Sequence, residues 1–163
     1  MIKLSKKIIN NDLYQYKCPE KLGYLDIKLD LKNRAVSAIF TDKKILYQNI
    51  PPKEIIVALD DYFNNKKNIP KSLISDEITG TVFQKSIWKV ISSVRFGQTI
   101  TYSEIAEKLG NTNAVRAAGT ACGKNPIALF IPCHRIVRKT GEDHGYSWGK
   151  KRKEWLLNFE CGK

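Results

Sequence analysis

The chain is short, basic and of ordinary hydrophobicity. It has 163 residues, of which 42% are hydrophobic and 27% charged, so its composition suits one globular domain or two small ones. Its 28 Lys and Arg exceed its 16 Asp and Glu, and the net charge of +12 favours a polyanionic partner, because each neutralised phosphate releases a counterion. No apolar run approaches the ~20 residues that span a bilayer, and the charged first residues do not fit a secretory signal. We therefore exclude a membrane-spanning class and expect a cytoplasmic protein, or a nuclear one in a eukaryote.

The first half of the chain predicts a small sheet followed by a helix. Residues 23–31 and 35–40 alternate apolar and polar side chains, which is typical of strands, and Asn33 lies near the turn between them. Pro51 and Pro52 then open a helix to about Asn64, since proline is well tolerated at a helix start. This half offers no catalytic constellation, and we expect it to be structural.

A boundary is predicted near residues 71–80, where Pro70, Ser72, Ser75 and Gly80 interrupt the periodic pattern. It divides the chain into residues 1–76, an N-terminal structural α/β domain, and residues 77–163, a mainly helical domain. Two capping boxes, Thr81 with Gln84 and Thr101 with Glu104, mark helix starts in the second part. A third helix is expected from residue 111 or 112 to about Cys122. The predicted fold class is therefore α/β, in the α+β arrangement.

The last two of these helices resemble a helix-turn-helix. Small side chains dominate the second helix, with Arg116 among them, and such a face suits a close approach to the minor groove better than base reading in the major groove. A plain helical hairpin with a small-residue packing seam is the alternative. Residues 80–163 carry 14 basic and 6 acidic side chains against 14 and 10 in residues 1–79, which favours DNA as the partner of the second part.

Chemistry is predicted at the end of the apolar run 127–131, which we interpret as a buried strand or extended segment. It leads into Pro132, Cys133, His134 and Arg135. A cysteine among cationic side chains is expected to favour the nucleophilic thiolate. Neighbouring residues of an extended segment point to opposite faces, so His134 would take the thiol proton through a water molecule. Glu154 is the carboxylate expected to hold the imidazole tautomer.

The other three cysteines, Cys18, Cys122 and Cys161, are expected to be small buried hydrophobes. No Cys-x-x-Cys pair occurs and there are only two histidines, so we expect no metal site and no cofactor.

The residues around Cys133 resemble the active-site signature of the O6-alkylguanine-DNA alkyltransferases. The shared motif is Ile-Pro-Cys-His-Arg-Ile-Val at residues 131–137, and the likeness extends from about Thr81 to Phe159. It includes Thr-Tyr-Ser-Glu-Ile-Ala at 101–106, Arg-Ala-Ala-Gly at 116–119, Gly-Lys-Asn-Pro at 123–126 and Lys-Glu-Trp-Leu-Leu at 153–157. The first ~75 residues match this family only in general layout, which implies a ribonuclease H-like sheet with helices before an active-site domain.

The resemblance implies a DNA-repair protein that takes an alkyl group from O6-alkylguanine in duplex DNA, with O4-alkylthymine left open as a second lesion. Nucleotide flipping from the minor groove would bring the base to Cys133. The transfer would be stoichiometric and irreversible, and a monomer is the default. The implied roles fall on three groups of residues. The residues implied in the reaction are the acceptor Cys133 and, with it, His134, Glu154, Asn125 and Tyr102. The residues implied to contact DNA are Tyr102, Thr112, Ala114, Arg116, Ala117, Ala118, Lys124 and Arg135. The residues implied to line the guanine pocket are Val137, Tyr146, Ser147 and Trp148.

Trp148 stands where some members of that family have glycine, so a narrower pocket with weaker acceptance of large O6 substituents is expected. Three other functions remain open. The first is a lesion-binding protein without transfer, against which Cys133 itself argues, because those relatives lack the acceptor cysteine. The second is a multiple-turnover cysteine hydrolase. The third is a sequence-specific helix-turn-helix regulator, which the alanine-rich helix disfavours.

Overall fold

The computed structural model describes residues 12–47, 49–140 and 145–162. Its first half holds a three-stranded antiparallel sheet in the order β1-β2-β3. The strands are β1 (Leu13–Lys17), β2 (Tyr24–Leu29) and β3 (Ala35–Thr41). The two strands predicted from alternation are confirmed, and Asn33 has the positive φ of 59° expected of a turn residue. Strand β1 is an addition, because its half-buried side chains show no clear alternation.

Helix α1 (Lys53–Asn65) follows Pro52, as its proline start predicts. It packs Ile55, Leu59, Tyr62 and Phe63 into the core. Burying four such side chains stabilises the fold by several kcal/mol, since each contributes roughly 1.5–3 kcal/mol. This packing turns one face of α1 toward the second half of the chain.

The second half is mainly helical. It contains α2 (Val82–Ile91), α3 (Tyr102–Lys108), α4 (Val115–Gly123) and α5 (Lys150–Cys161), with two short parallel strands, β4 (Ile100–Thr101) and β5 (Ile136–Val137). Both capping boxes are present, at Thr81 with Gln84 and at Thr101 with Glu104. Each satisfies two backbone donors that the first helical turn would leave unpaired.

Residues 127–131, predicted as a buried strand or extended segment, are buried as expected but are neither a strand nor extended. They form tight turns, and Leu129 takes a positive φ of 66°, a conformation that no regular strand contains. An unbroken apolar run signals burial more reliably than it signals the type of element. The only bridge that the described residues show here joins Ile127 to Ala38.

Strand β3 connects the two halves of the molecule. The Ala38 amide donates to the Pro126 carbonyl at 3.0 Å, and the Ala128 amide donates to the Ala38 carbonyl at 2.8 Å. On the same edge the Ser75 amide donates to the Ala35 carbonyl at 2.9 Å. One continuous apolar core results, and the turn before Cys133 is fixed against the sheet.

The division at residues 76 and 77 stays a prediction. No helix in the described ranges is long and apolar enough to cross a bilayer.

Candidate active site and nucleic-acid interface

Cys133 opens a short 3-10 turn, Cys133–Arg135, directly after the buried segment. Asn125 holds that segment at both ends: its side-chain amide donates to the Ile131 carbonyl at 2.8 Å, and its oxygen accepts from the Ile127 amide at 2.9 Å. The Cys133 amide donates to the same Ile131 carbonyl, at 2.8 Å. Asn125 is itself buried, so its two bonds fix the path of the chain into Cys133.

His134 pairs with Glu160, not with the predicted Glu154. Its Nε2 lies 2.7 Å from Oε1 of Glu160, and the imidazole is completely buried. Glu154 is exposed and lies 3.6 Å from the Lys150 ammonium. Both acids belong to α5, but six residues of helix turn the chain by about 240°, so Glu154 faces away from the histidine. The expectation for Glu154 is wrong, and the signal for Glu160 was its spacing of four residues from the buried Leu156.

Glu160 accepts hydrogen bonds from four residues. His134 and Tyr62 approach Oε1 at 2.7 and 2.6 Å; Arg135 donates through Nη2 to Oε1 at 3.0 Å and through Nε to Oε2 at 2.8 Å. The Gly97 amide donates to Oε2 at 3.2 Å. Burial alone would raise the pKa of this carboxyl, but the hydrogen bonds that His134 and Arg135 donate, together with the charge of Arg135, outweigh it and hold the pKa at about 2. Glu160 is therefore ionised at neutral pH.

Gly97 is required by the backbone at this point. Its φ is +75°, and an added Cβ would lie 3.2 Å from the Glu160 carbonyl oxygen. A larger residue would be strained and would crowd α5.

His134 is held neutral and in one tautomer. Burial lowers the pKa of the imidazole below its usual value, although Glu160 opposes that shift. With Nε2–H donating to the carboxylate, Nδ1 carries the lone pair. This Nδ1 is buried and has no hydrogen-bond partner among the described residues. The histidine thus presents a free basic atom next to the cysteine in the chain, which is what a general base requires.

The Cys133 sulfur is a thiol in the resting protein. Burial raises its pKa well above the ordinary value, and the neighbouring Cys122 raises it further, while Asn125 and Lys153 lower it. Burial therefore outweighs the cationic surroundings that were expected to favour the thiolate. Arg135, one of the cations behind that expectation, is neutralised by Glu160 at 2.8 Å. The cation that favours the thiolate is Lys153, which is buried and donates to the Ile136 carbonyl at 2.6 Å.

Two of the remaining three cysteines are buried as expected. Cys18 and Cys122 lie in the core, whereas Cys161 is exposed. The expectation for Cys161 is wrong because it lies in the last turn of α5.

The four predicted pocket residues follow Cys133 in the chain, one of them in β5 and three shortly before α5. Val137 is in β5. Burial raises the pKa of the Tyr146 phenol well above its ordinary value, and a charge on Cys133 would raise it further. The Tyr146 hydroxyl is buried without a hydrogen-bond partner among the described residues. Ser147 donates to the Gly123 carbonyl at 2.8 Å. The Trp148 ring meets Tyr146 edge-on at 5.2 Å and Phe40 of the sheet at 6.4 Å.

Helices α3 and α4 form the predicted hairpin, joined by a 3-10 turn at Thr112–Ala114. Tyr102 is the first residue of α3, directly after β4, which pairs with β5 beside the Cys133 turn. Its ring lies 3.9 Å from the point that a Cβ on Gly119 would occupy, so α3 and α4 pack closely. Thr112, Arg116, Ala117 and Lys124 are exposed on this hairpin and remain available for a DNA contact.

Three residues predicted to contact DNA are buried in this structure. Ala114 and Ala118 face the core with 6% and 0% of their surface exposed, on the same stripe of the helix as Cys122. Arg135 is 3% exposed and is taken up by Glu160, the Asn68 side chain and the Val94 carbonyl. Position in a motif did not distinguish the inner face of the helix from its outer face.

Geometry thus defines a protein with a buried cysteine whose neighbouring histidine is paired with a carboxylate, beside a helical hairpin. Residues 82–162 match the family described as 6-O-methylguanine DNA methyltransferase, DNA binding domain. The chain is 41% identical over 141 residues to a "Probable methylated-DNA--protein-cysteine methyltransferase" of Acanthamoeba polyphaga mimivirus, covering 86% of this chain and 91% of that one. It is 37% identical over 139 residues to the methylated-DNA–protein-cysteine methyltransferase of Methanosarcina barkeri, covering 85% and 84%.

The fold agrees with that similarity. The O6-methylguanine methyltransferase of Mycobacterium tuberculosis superposes with a TM-score of 0.74 at 28% identity over 92% of both chains. A crystal structure of the same organism's protein in complex with DNA gives a TM-score of 0.76 at 28% identity over 91% of both chains. The chain belongs to the methylated-DNA–protein-cysteine methyltransferase family, and the resemblance drawn from the sequence is confirmed. It is an enzyme of DNA repair by alkyl transfer.

Proposed function

We propose that the chain removes the alkyl group from O6-alkylguanine in duplex DNA and keeps it on Cys133. The observation that carries the proposal is the buried His134–Glu160 pair, whose free Nδ1 lies one residue along the chain from Cys133. In the reaction the carbon–oxygen bond of the lesion breaks and a carbon–sulfur bond forms. The thiol proton passes to His134 through a water molecule, and the departing guanine takes a proton, for which Tyr102 is the proposed donor.

The raised pKa of Cys133 gives this sequence of events its physical reason. A thiol that stays protonated at rest is protected from casual oxidation and alkylation, because the thiolate is the reactive form. Loss of the proton to His134 would create a thiolate next to the buried Lys153 cation, whose charge lowers the pKa of Cys133. A thioether has no easy reversal, so each molecule acts once.

DNA is the proposed partner, bound through the minor groove by the exposed face of the α3–α4 hairpin. The complex of the related mycobacterial protein with DNA supports DNA as the partner, as does the excess of basic residues in this half. Arg116, exposed on the first turn of α4, is proposed to enter the base stack when the nucleotide swings out. Flipping costs a few kcal/mol, and the cost is lower at a damaged pair.

The pocket is proposed to hold the flipped guanine between Val137, Tyr146, Ser147 and Trp148. The edge-on contacts of Trp148 with Tyr146 and Phe40 place its indole between the sheet and the pocket tyrosine, which supports a narrow site. O4-alkylthymine is a second, smaller lesion that such a site could admit. A ribonuclease H-like N-terminal domain, a monomeric state and a cytoplasmic or nuclear location belong to the same proposal.

A mass measurement tests the transfer. Incubation with a duplex containing O6-methylguanine should add one methyl mass per protein molecule, on the peptide that holds Cys133, and no more with excess DNA. Cys133→Ser should bind the duplex and gain no mass, while Cys161→Ser, which removes the exposed thiol, should react like the wild type. In the same assay an O6-benzylguanine duplex should react more slowly than the methylated one.

The controls separate the remaining functions. Methyl transfer that persists in Cys133→Ser would place the acceptor elsewhere. Binding of the lesion without any gain of mass by the wild type would favour the lesion-binding alternative instead.

A further inference from the structure

A tyrosine of the N-terminal half reaches the carboxylate that serves the reactive cysteine. Tyr62 of α1 is 0% exposed, and its hydroxyl donates to Oε1 of Glu160 at 2.6 Å across 98 residues of sequence. This is the same oxygen that lies 2.7 Å from His134 Nε2. The phenol therefore touches the atom through which Glu160 acts on the histidine.

Packing explains the ring of Tyr62 but not its hydroxyl. The ring lies in an aromatic cluster, with centroids 4.9 Å from Phe63, 5.4 Å from Phe96 and 5.9 Å from Phe159. Phenylalanine would fill that space equally well, and a buried hydroxyl costs free energy unless it is hydrogen-bonded. Burial and then the Glu160 charge raise the pKa of the phenol well above 10.0, so the group remains a donor over the working range of pH.

We propose that Tyr62 is a positioning residue for alkyl transfer, which sets the orientation and the basicity of the Glu160–His134 pair. Arg135 donates to both carboxylate oxygens of Glu160, and the Tyr62 hydroxyl of helix α1 donates to Oε1 as well. Together these donors fix the rotation of the carboxylate. By sharing the charge on Oε1, the hydroxyl weakens the pull of the carboxylate on an imidazolium. The pKa of His134 is thereby kept low, and the base stays neutral and ready. This inference rests on the proposed role of His134 as the base for Cys133.

Tyr62→Phe tests the inference, because it keeps the ring and removes one oxygen. The rate constant for methyl transfer from an O6-methylguanine duplex is measured under single-turnover conditions from pH 5 to 9. Without the hydroxyl, more of the charge on Oε1 acts on His134, so the histidine stays protonated to higher pH. The acidic limb of the profile should move up by about half to one pH unit, with the affinity for DNA unchanged.

Tyr16→Phe is the matched control. Tyr16 also lies in the N-terminal half, its ring stacks on Phe63, and its hydroxyl donates to a carboxylate, Asp60, at 2.6 Å. It does not touch Glu160, so its profile should superimpose on the wild type.

A second variant strengthens the hydrogen bond from position 62 instead of removing it. Site-specific 3-fluorotyrosine at position 62 makes the phenol a stronger donor and should move the limb to lower pH. It also covers the case in which Tyr62→Phe yields no folded protein.

The results separate this inference from the proposed function. Wild-type protein that gains no methyl group on Cys133 overturns the proposed function. A wild type that transfers normally, together with position-62 variants whose profiles match it, overturns the positioning role alone. A Tyr62→Phe protein with lower thermal stability but an unchanged pH profile also overturns the positioning role, because the hydroxyl would then stabilise only the fold.

Discussion

The proposed chemistry depends on Glu160, because this carboxylate accepts from the His134 imidazole and neutralises Arg135. The two carboxylates of α5, Glu154 and Glu160, supply a direct comparison because they share a helix and differ in the face they occupy. One is buried against a histidine and an arginine, and the other is exposed near Lys150.

Glu160→Gln should reduce the rate of methyl transfer roughly a hundredfold or more, the range that general acid–base groups contribute. The amide cannot stabilise an imidazolium, and it leaves the buried Arg135 cation without its partner, which should also destabilise the fold by about 3 kcal/mol or more. Single-turnover kinetics and urea unfolding measure the two effects.

Glu154→Gln is the control, and both quantities should stay within error of the wild type, because an exposed ion pair contributes at most about 1 kcal/mol. Loss of transfer in Glu154→Gln with retained transfer in Glu160→Gln would restore the original assignment of the carboxylate.

Local patterns predicted the elements well and their orientation less well. The capping boxes at Thr81 and Thr101 are visible because all their partners lie within four residues. Ala118 was assigned to DNA although it faces the core, since a run of alanines gives no hydrophobic contrast from which to infer a face. The segment before Cys133 was mistaken for a strand, because its path is set by Asn125 and by β3 and not by local preference.

Helix α4 offers a test of its two faces through neighbouring alanines. Ala117 is exposed and Ala118 is fully buried. Ala117→Glu should keep the thermal stability and weaken duplex binding about tenfold, since it puts a negative charge where phosphates are proposed to approach. Ala118→Glu should destabilise the fold by several kcal/mol, because it buries a charge without a partner.

Thermal unfolding and fluorescence anisotropy with a labelled duplex distinguish these outcomes. Equal affinity for DNA in Ala117→Glu and the wild type would remove the exposed face of α4 from the interface.

At the scale of the whole molecule, the two halves form one structure around the reactive segment. The Ala38–Pro126 and Ala38–Ala128 hydrogen bonds attach that segment to the sheet, and Arg152 of α5 donates to the Leu22 carbonyl at 3.1 Å while its guanidinium lies over Phe40. Such contacts join residues about a hundred positions apart, so no local pattern could predict them. The sequence pattern and the family resemblance both pointed to Cys133 and His134, whereas only the fold shows the contact of Tyr62 with Glu160.

Because Glu160 connects both halves, acid should loosen the entire molecule. The pKa of Glu160 is about 2 in the folded chain, against 4.5 for an unperturbed glutamate carboxyl. A depressed pKa means that the folded state binds this proton less readily than the unfolded state, so the stabilisation is present above about pH 4.5 and is lost as the pH falls toward 2. The loss should amount to roughly 3 kcal/mol of unfolding free energy. Urea unfolding between pH 6 and 3 should show this slope in the wild type and a shallower one in Glu160→Gln; equal slopes would mean that other carboxyls govern acid unfolding.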